Sequence, residues 1–323
     1  MKVLFLFLDG VGLGAGDPSI NPFTSARTPT LDHLLAGKKL IAATAPHRSS
    51  VCTLLGIDAQ LGIKGLPQSA TGQATLLTGI NFAERLGFHF GPKPNSEIYS
   101  YFSGDETPKT IQDLKNPEDH PKDISIFSHL LKTHHKVCLL NAYPDSYFAG
   151  IDSRKHNHSV IPLAVTSAGI PLFTQEDLFL GNAVSADFTG QGWHDHLLLP
   201  QTPILTSLQA GEKLASLTTN YDFSLFEFWE SDYIGHKQDF TNAIRLIEKL
   251  DVVLAGLLNK WDFENGVILI TSDHGNLEDL STRKHTNNKV PALILGKLGY
   301  QQLFSQKVKS IADITPFIME IFN

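Results

Sequence analysis

Four short stretches of this 323-residue chain carry side chains that could hold metal ions. In Leu8-Asp9-Gly10-Val11-Gly12 a carboxylate directly follows an apolar run, and two glycines permit a tight turn with close backbone approach. In Glu230-Ser231-Asp232-Tyr233-Ile234-Gly235-His236, Asp232 and His236 are four apart, so one helical turn would put both on the same face. A carboxylate and an imidazole together suit zinc or manganese. In Ile270-Thr271-Ser272-Asp273-His274-Gly275-Asn276 an apolar run ends in an adjacent carboxylate and imidazole. In Lys284-His285-Thr286-Asn287-Asn288 a further imidazole stands eleven positions past His274. Each stretch alone has a plainer reading, such as a turn cap for Asp9, a surface hydrogen bond for Asp232 and His236, or a solvated loop side chain for His285. Jointly they supply three Asp and three His near predicted strand ends. Carboxylates packed that closely repel and raise one another's pKa, and divalent cations remove the conflict. The set therefore points to a two-metal centre.

Such a centre needs a nucleophile. Leu66-Pro67-Gln68-Ser69-Ala70-Thr71-Gly72-Gln73-Ala74-Thr75 offers hydroxyls and a glycine ahead of an apolar, helix-like run at Ala74–Leu77. Hydroxyls at a helix start often serve as caps. The same geometry also supplies amide donors and a favourable dipole for a phosphate, and a hydroxyl beside a divalent ion can attack phosphorus.

The elements that must position these residues read as an α/β fold. Val3–Leu8, Val137–Leu140, Leu225–Phe228, Val267–Ile270 and Pro291–Leu295 are continuous apolar runs rather than alternating ones. Between them lie helical patterns such as Ala243–Leu258. Strands buried on both faces predict a three-layer α/β/α sandwich around a mostly parallel central sheet, whose ligands collect at the carboxyl ends of strands. Two stretches break the alternation, about 88–123 and 150–200, and are expected to be irregular insertions or lid segments on a single catalytic domain spanning 1–323.

Composition narrows the field further. Hydrophobic residues are 42% and charged residues 18%, which supports a sizeable core. The net charge of −7 excludes a broadly basic nucleic-acid surface. The two cysteines, Cys52 and Cys138, cannot form a disulfide scaffold, which fits a reducing, cytoplasmic setting. The run after Lys2 is ended by Asp9 and reads as a buried strand rather than a leader, and no apolar stretch is long enough to span a membrane.

The motifs Asp9-Gly10, Ser69-Ala70-Thr71-Gly72, Asp232 to Gly235-His236, Asp273-His274-Gly275-Asn276 and His285-Thr286 together resemble the alkaline phosphatase superfamily. The nearest branch is the metalloenzyme group that contains cofactor-independent phosphoglycerate mutase and phosphopentomutase. The order of motifs matches from the first strand to the last, and Ile311-Ala312-Asp313-Ile314-Thr315-Pro316 is similar to the closing helix of these proteins. The resemblance implies an alkaline-phosphatase-like fold with small lid insertions and two divalent ions, manganese ahead of zinc. It implies one ion on Asp232, His236 and His285, and the other on Asp9, Asp273, His274 and the Ser69 oxygen. Ser69 matches the phosphorylated position, with Thr71 as the fallback nucleophile.

Three departures shape the expected reaction. Gln73 stands where the mutases carry His. The segment between Gly79 and about residue 124 is too short for the mutases' second domain. Arginine is confined to Arg27, Arg48, Arg85, Arg154, Arg245 and Arg283, whereas a mutase must hold a highly charged intermediate. The expectation is a phosphohydrolase that acts on a small phosphorylated substrate through a phosphoserine, with Asn276, Lys284, Arg154 and Lys155 as candidate phosphate contacts. A phosphomutase is the first alternative, and a non-catalytic metal-stabilised binding domain is the second.

Overall fold

Six consecutive apolar residues bury β1 (Lys2–Leu8) at the centre of the sheet. Each such side chain contributes about 1.5–3 kcal/mol when removed from water. The computed structural model describes residues 1–104 and 125–323. Among these residues the strands are β1, β2 (His47–Arg48), β3 (Cys52–Ile57), β4 (Val137–Leu139), β5 (Phe223–Phe228), β6 (Gly266–Thr271) and β7 (Val290–Leu295), in the spatial order β2-β3-β7-β6-β1-β5-β4. β4, β5, β1 and β6 pair in parallel; β7 is antiparallel to β6 and to β3, and β2 to β3.

The helices that matter for the site are α1 (Ser69–Thr78), α2 (Val160–Ser167), α3 (Gln191–His196), α4 (Ser207–Thr218), α5 (Glu230–Lys237), α6 (Phe240–Lys260) and α7 (Ile314–Phe322). Alternate residues of the central strands feed two separate cores. Leu4, Leu6, Leu8, Phe226 and Phe228 pack with residues of α4 and α6 on one face. Val3, Phe5, Phe7, Phe223 and Leu225 pack with residues of α1, α2 and α7 on the other. This is the expected three-layer sandwich.

Two sequence expectations change in detail. Pro291–Leu295 is a strand, but β7 runs opposite to its neighbour. No crossover helix separates β6 from β7, so the chain can only turn back and pair antiparallel. That return keeps Asp273, His274 and His285 at one sheet edge. The second change concerns residues 150–200, which contain more regular structure than a plain insertion. Val160, Ile161, Leu163 and Val165 of α2 are buried in the core, and Trp193 of α3 is nearly so. The first expected insertion is described only as far as Gly104, including a helix over Ser96–Ser103, and its remainder lies outside the described residues. Among the described residues no helix is long and apolar enough to cross a membrane.

Candidate metal centre

The parallel strands deliver their chemistry at one edge, as the strand-end rule predicts. Asp9 follows β1, Asp232 and His236 lie on α5 directly after β5, and Asp273 and His274 follow β6. An antiparallel bridge between Gly275 and Thr286, with Thr286 N–H donating to Gly275 O at 2.9 Å, lays the His285 loop alongside the His274 loop. The two imidazoles then stack with centroids 3.7 Å apart. Gly10, at φ +67°, lets the β1 loop press against Asp232, where an added Cβ would meet the Asp232 Cβ at 2.8 Å. Gly72 of α1 presses on Asp273 in the same way, again at 2.8 Å, and this sets Ser69 one turn earlier over the centre.

Two ligand groups form among the described residues. Asp232, His236 and His285 bring one donor atom each within 4.8 Å of one another, and Asp9, Asp232 and His274 do the same. Asp232 belongs to both. Asp273 joins the second group through its Oδ2, 3.5 Å from His274 Nε2. Ser69 Oγ lies 3.0 Å from His274 Nε2. All six predicted Asp and His residues and Ser69 are thus brought together.

The donor chemistry fits divalent ions. His285 Nδ1 is 2.7 Å from Pro67 O and His236 Nδ1 is 2.7 Å from Arg283 O. Backbone carbonyls that accept from Nδ1–H leave Nε2 as the ligating atom. Those two Nε2 atoms face each other at 3.2 Å, with Asp232 Oδ2 3.2 Å from that of His236. Such a meeting needs a positive charge between the lone pairs. The hydrogen bond to Asp232 raises the His236 pKa, opposed by partial burial. Burial, followed by the His274 imidazole, pushes His285 down to about 4, and burial pushes His274 down to about 4, so both rings are neutral at neutral pH with a lone pair to offer a cation.

The carboxylates report the same deficit of positive charge. Burial raises Asp9 well above its ordinary value, with Asp273 and Asp232 adding repulsion. Burial and Asp232 push Asp273 up to about 7. Burial also opposes ionisation of Asp232, but its contacts with His236, His274, Asn276 and His285 outweigh this and hold it low. Asp9 Oδ1 and Gln73 Oε1 are buried without a hydrogen-bond partner among the described residues. Gln73 Nε2 reaches Asp9 Oδ2 and Asp273 Oδ2 only at 3.4 Å.

The remaining predicted residues divide. Asn276 donates to Asp232 Oδ1 at 2.7 Å, so it orients that carboxylate. Arg154 and Lys155 lie on an exposed turn after the helix Asp145–Asp152, and Lys284 is also exposed; none lines the cavity in front of Ser69. These three do not reach the centre, because the turn at Arg154, with φ +56°, and the loop at Lys284 carry them to the surface. Thr71 is buried and its hydroxyl donates to Gln68 O at 3.1 Å, which turns it away from the cavity.

Sequence reasoning missed two acids. Glu278 is 1% exposed and accepts from Gly12 N at 2.9 Å, Asn276 N at 2.8 Å, Asn288 Nδ2 at 3.0 Å and the Thr286 hydroxyl. It ties together the three loops that carry Asp9, Asp273 and His285. Glu278→Ala would strand those buried donors at about 1–3 kcal/mol each. The expected result is a loss of about 3 kcal/mol or more in unfolding free energy and at least a ~10-fold loss in metal affinity, read by denaturant melts and metal titration. Unchanged affinity in a folded variant would contradict this role. The second acid, Glu227, sits inside the apolar run of β5, and a charged residue within a doubly buried strand was a legible signal. Burial, then the Asp273 charge, pushes it up to about 8.

With this geometry in view, comparison with known proteins is informative. Residues 201–323 match the family model described as the Metalloenzyme superfamily. A 2,3-bisphosphoglycerate-independent phosphoglycerate mutase of Coxiella burnetii is 28% identical over 162 residues, covering 45% of this chain and 30% of the mutase. The enzyme of the same name from Clostridium kluyveri is 35% identical over 110 residues, covering 32% of this chain and 21% of its own length. The matched region is thus less than a third of each mutase. Among solved structures, the PH0037 protein from Pyrococcus horikoshii superposes with a TM-score of 0.58 at 18% identity, over 100% of this chain and 96% of that one, which shows a shared fold. The family match falls on the segment that supplies Asp232, His236, Asp273, His274 and His285, and over that segment the chain is similar to the Metalloenzyme superfamily.

Proposed function

We propose that this chain is a divalent-metal-dependent phosphoryl-transfer enzyme that hydrolyses a small phosphate ester through a phosphoserine at Ser69. The observation that carries the reading is the Ser69 hydroxyl, 3.0 Å from His274 Nε2, at the floor of a cavity it shares with Asp9 and Asp232. Asp232, His236 and His285 would hold one ion; Asp9, Asp273, His274 and the Ser69 oxygen would hold the other. The many hard carboxylate oxygens favour manganese, with zinc next. Bound there, the ions supply the charge that lets a serine hydroxyl ionise near neutral pH and that offsets the charge of a phosphate.

The chain's own residues do the rest. Ser69 opens α1, so its oxygen stands at the positive end of a ten-residue helix, which favours an approaching phosphate. The Ser69 oxygen bonds to phosphorus as the ester P–O bond breaks, and the alcohol leaves carrying a proton. Water then attacks the phosphoserine, releasing inorganic phosphate and restoring the hydroxyl. Asn276 and Glu278 hold the ligand loops still during both steps. The two buried, unpaired cysteines support a reducing, cytoplasmic setting.

Phosphomutase activity is the second reading, favoured by the mutase relatives. Incubation of the manganese-loaded protein with a panel of phosphomonoesters that includes a phosphoglycerate separates the two. Free phosphate is the expected product. A positional isomer without phosphate release would establish the mutase, and absence of turnover with either metal would favour a binding role.

A further inference from the structure

The cavity above Ser69 holds about 570 Å³, room for far more than a phosphate group. Its lining is largely aromatic and acidic, with two basic side chains. Tyr143, Tyr147, Trp193 and Trp229 contribute aromatic surface. Among the described residues Lys93 is the one Lys or Arg that lines it, and its Nζ donates to Asn157 O at 3.2 Å; His196 is the other basic side chain.

The acids of the cavity are unequal. Glu230 is paired with Lys249 at 2.7 Å. Asp187 is saturated by donors from Ser185, Thr189, Gly190 and Gly192. Glu227 is as buried as Asp187, at 7% exposed, and also lines the cavity, but among the described residues its hydrogen bonds run through its backbone and none reaches its carboxyl. Its backbone N–H is held by Asn141 at 2.7 Å, and β5 pairs it with Phe7, two residues before Asp9. A buried acceptor beside the phosphate site and left without an internal donor is built for a donor on the ligand.

We propose that the substrate is a phosphate monoester whose alcohol part has an aromatic or apolar body and presents an amine or other hydrogen-bond donor to Glu227. This inference rests on the phosphoryl-transfer reading above. Whether Glu227 is ionised or protonated, it offers no cation to a carboxylate or second phosphate. An ammonium would find a charge-assisted partner there and aromatic faces nearby.

The test uses non-hydrolysable ligands on the manganese-loaded wild-type protein, read by calorimetry and by fluorescence of Trp193 and Trp229. The probes are benzylphosphonate, its para-aminomethyl and para-carboxy derivatives, and inorganic phosphate. The aminomethyl compound is expected to bind at least ~10-fold tighter than the carboxy compound. Glu227→Gln should shrink that ratio to about threefold or less, with benzylphosphonate itself little changed. Equal or tighter binding of the carboxy compound would overturn the inference, with or without a folded variant. So would an undiminished ratio in a folded Glu227→Gln protein. Binding of inorganic phosphate but none of the phosphonates would overturn it while leaving the phosphoryl-transfer site standing. Failure to bind phosphate as well would remove that reading too.

Discussion

Ser69→Ala should abolish turnover, by about 10³-fold or more, because it removes the hydroxyl that stands 3.0 Å from His274 Nε2. Thr71 is two residues away but turned into a hydrogen bond with Gln68 O, so Thr71→Ala should retain both turnover and phosphorylation. The decisive readout is covalent. Wild-type protein quenched during turnover should carry one phosphoryl group on the peptide that contains Ser69, and Ser69→Ala should carry none. The Asp232, His236 and His285 group does not use the serine oxygen, so the variant should still bind metal there. Unchanged turnover in Ser69→Ala, or label on another residue, would refute the assignment.

The second large effect is the dependence of metal binding on pH. Asp273, raised to about 7, and Asp9, also raised, hold protons in the metal-free protein that a cation must displace. His236, raised by Asp232, also gives up its proton less readily than an ordinary imidazole. His274 and His285, near 4, bring no proton to the competition at neutral pH. Metal affinity must therefore rise with pH through the range in which Asp273 deprotonates. The stability of the metal-free protein moves the other way. A buried carboxyl with a raised folded pKa is penalised for ionising, so the contribution of Asp273 is lost as pH climbs from its unfolded value of about 4 through about 7. Raising the pH from 6 to 8 should increase apparent manganese affinity by at least ~10-fold and enlarge the gap in Tm between metal-loaded and chelator-treated protein. A gap that narrows over that range would contradict the charge arrangement described above.

Much of the centre was legible because metal chemistry restricts residue type. Asp273-His274 at the end of an apolar run and the Asp232/His236 pair at helical spacing had few other joint explanations, and the fold placed both at one edge. His285 was the hardest of the six residues to argue locally. Only the antiparallel return of β7 puts it beside His274, and periodicity carries no strand direction. β3 escaped notice because Cys52–Ile57 is a short run containing Thr53 and Gly56. Arg154 and Lys155 misled because charge suggests phosphate contact, whereas reach depends on where the chain turns. Glu278 was overlooked because its function is collective: four donors from three loops converge on it, and none of those contacts is local enough to read from spacing alone.

The central claim is that these six side chains hold two divalent ions beside one serine. Anomalous diffraction from crystals of the manganese-loaded protein tests it directly. Two peaks are predicted, one among Asp232, His236 and His285, and one among Asp9, Asp273 and His274 within reach of the Ser69 oxygen. A single peak, or none in this cluster at saturating manganese, would contradict the account.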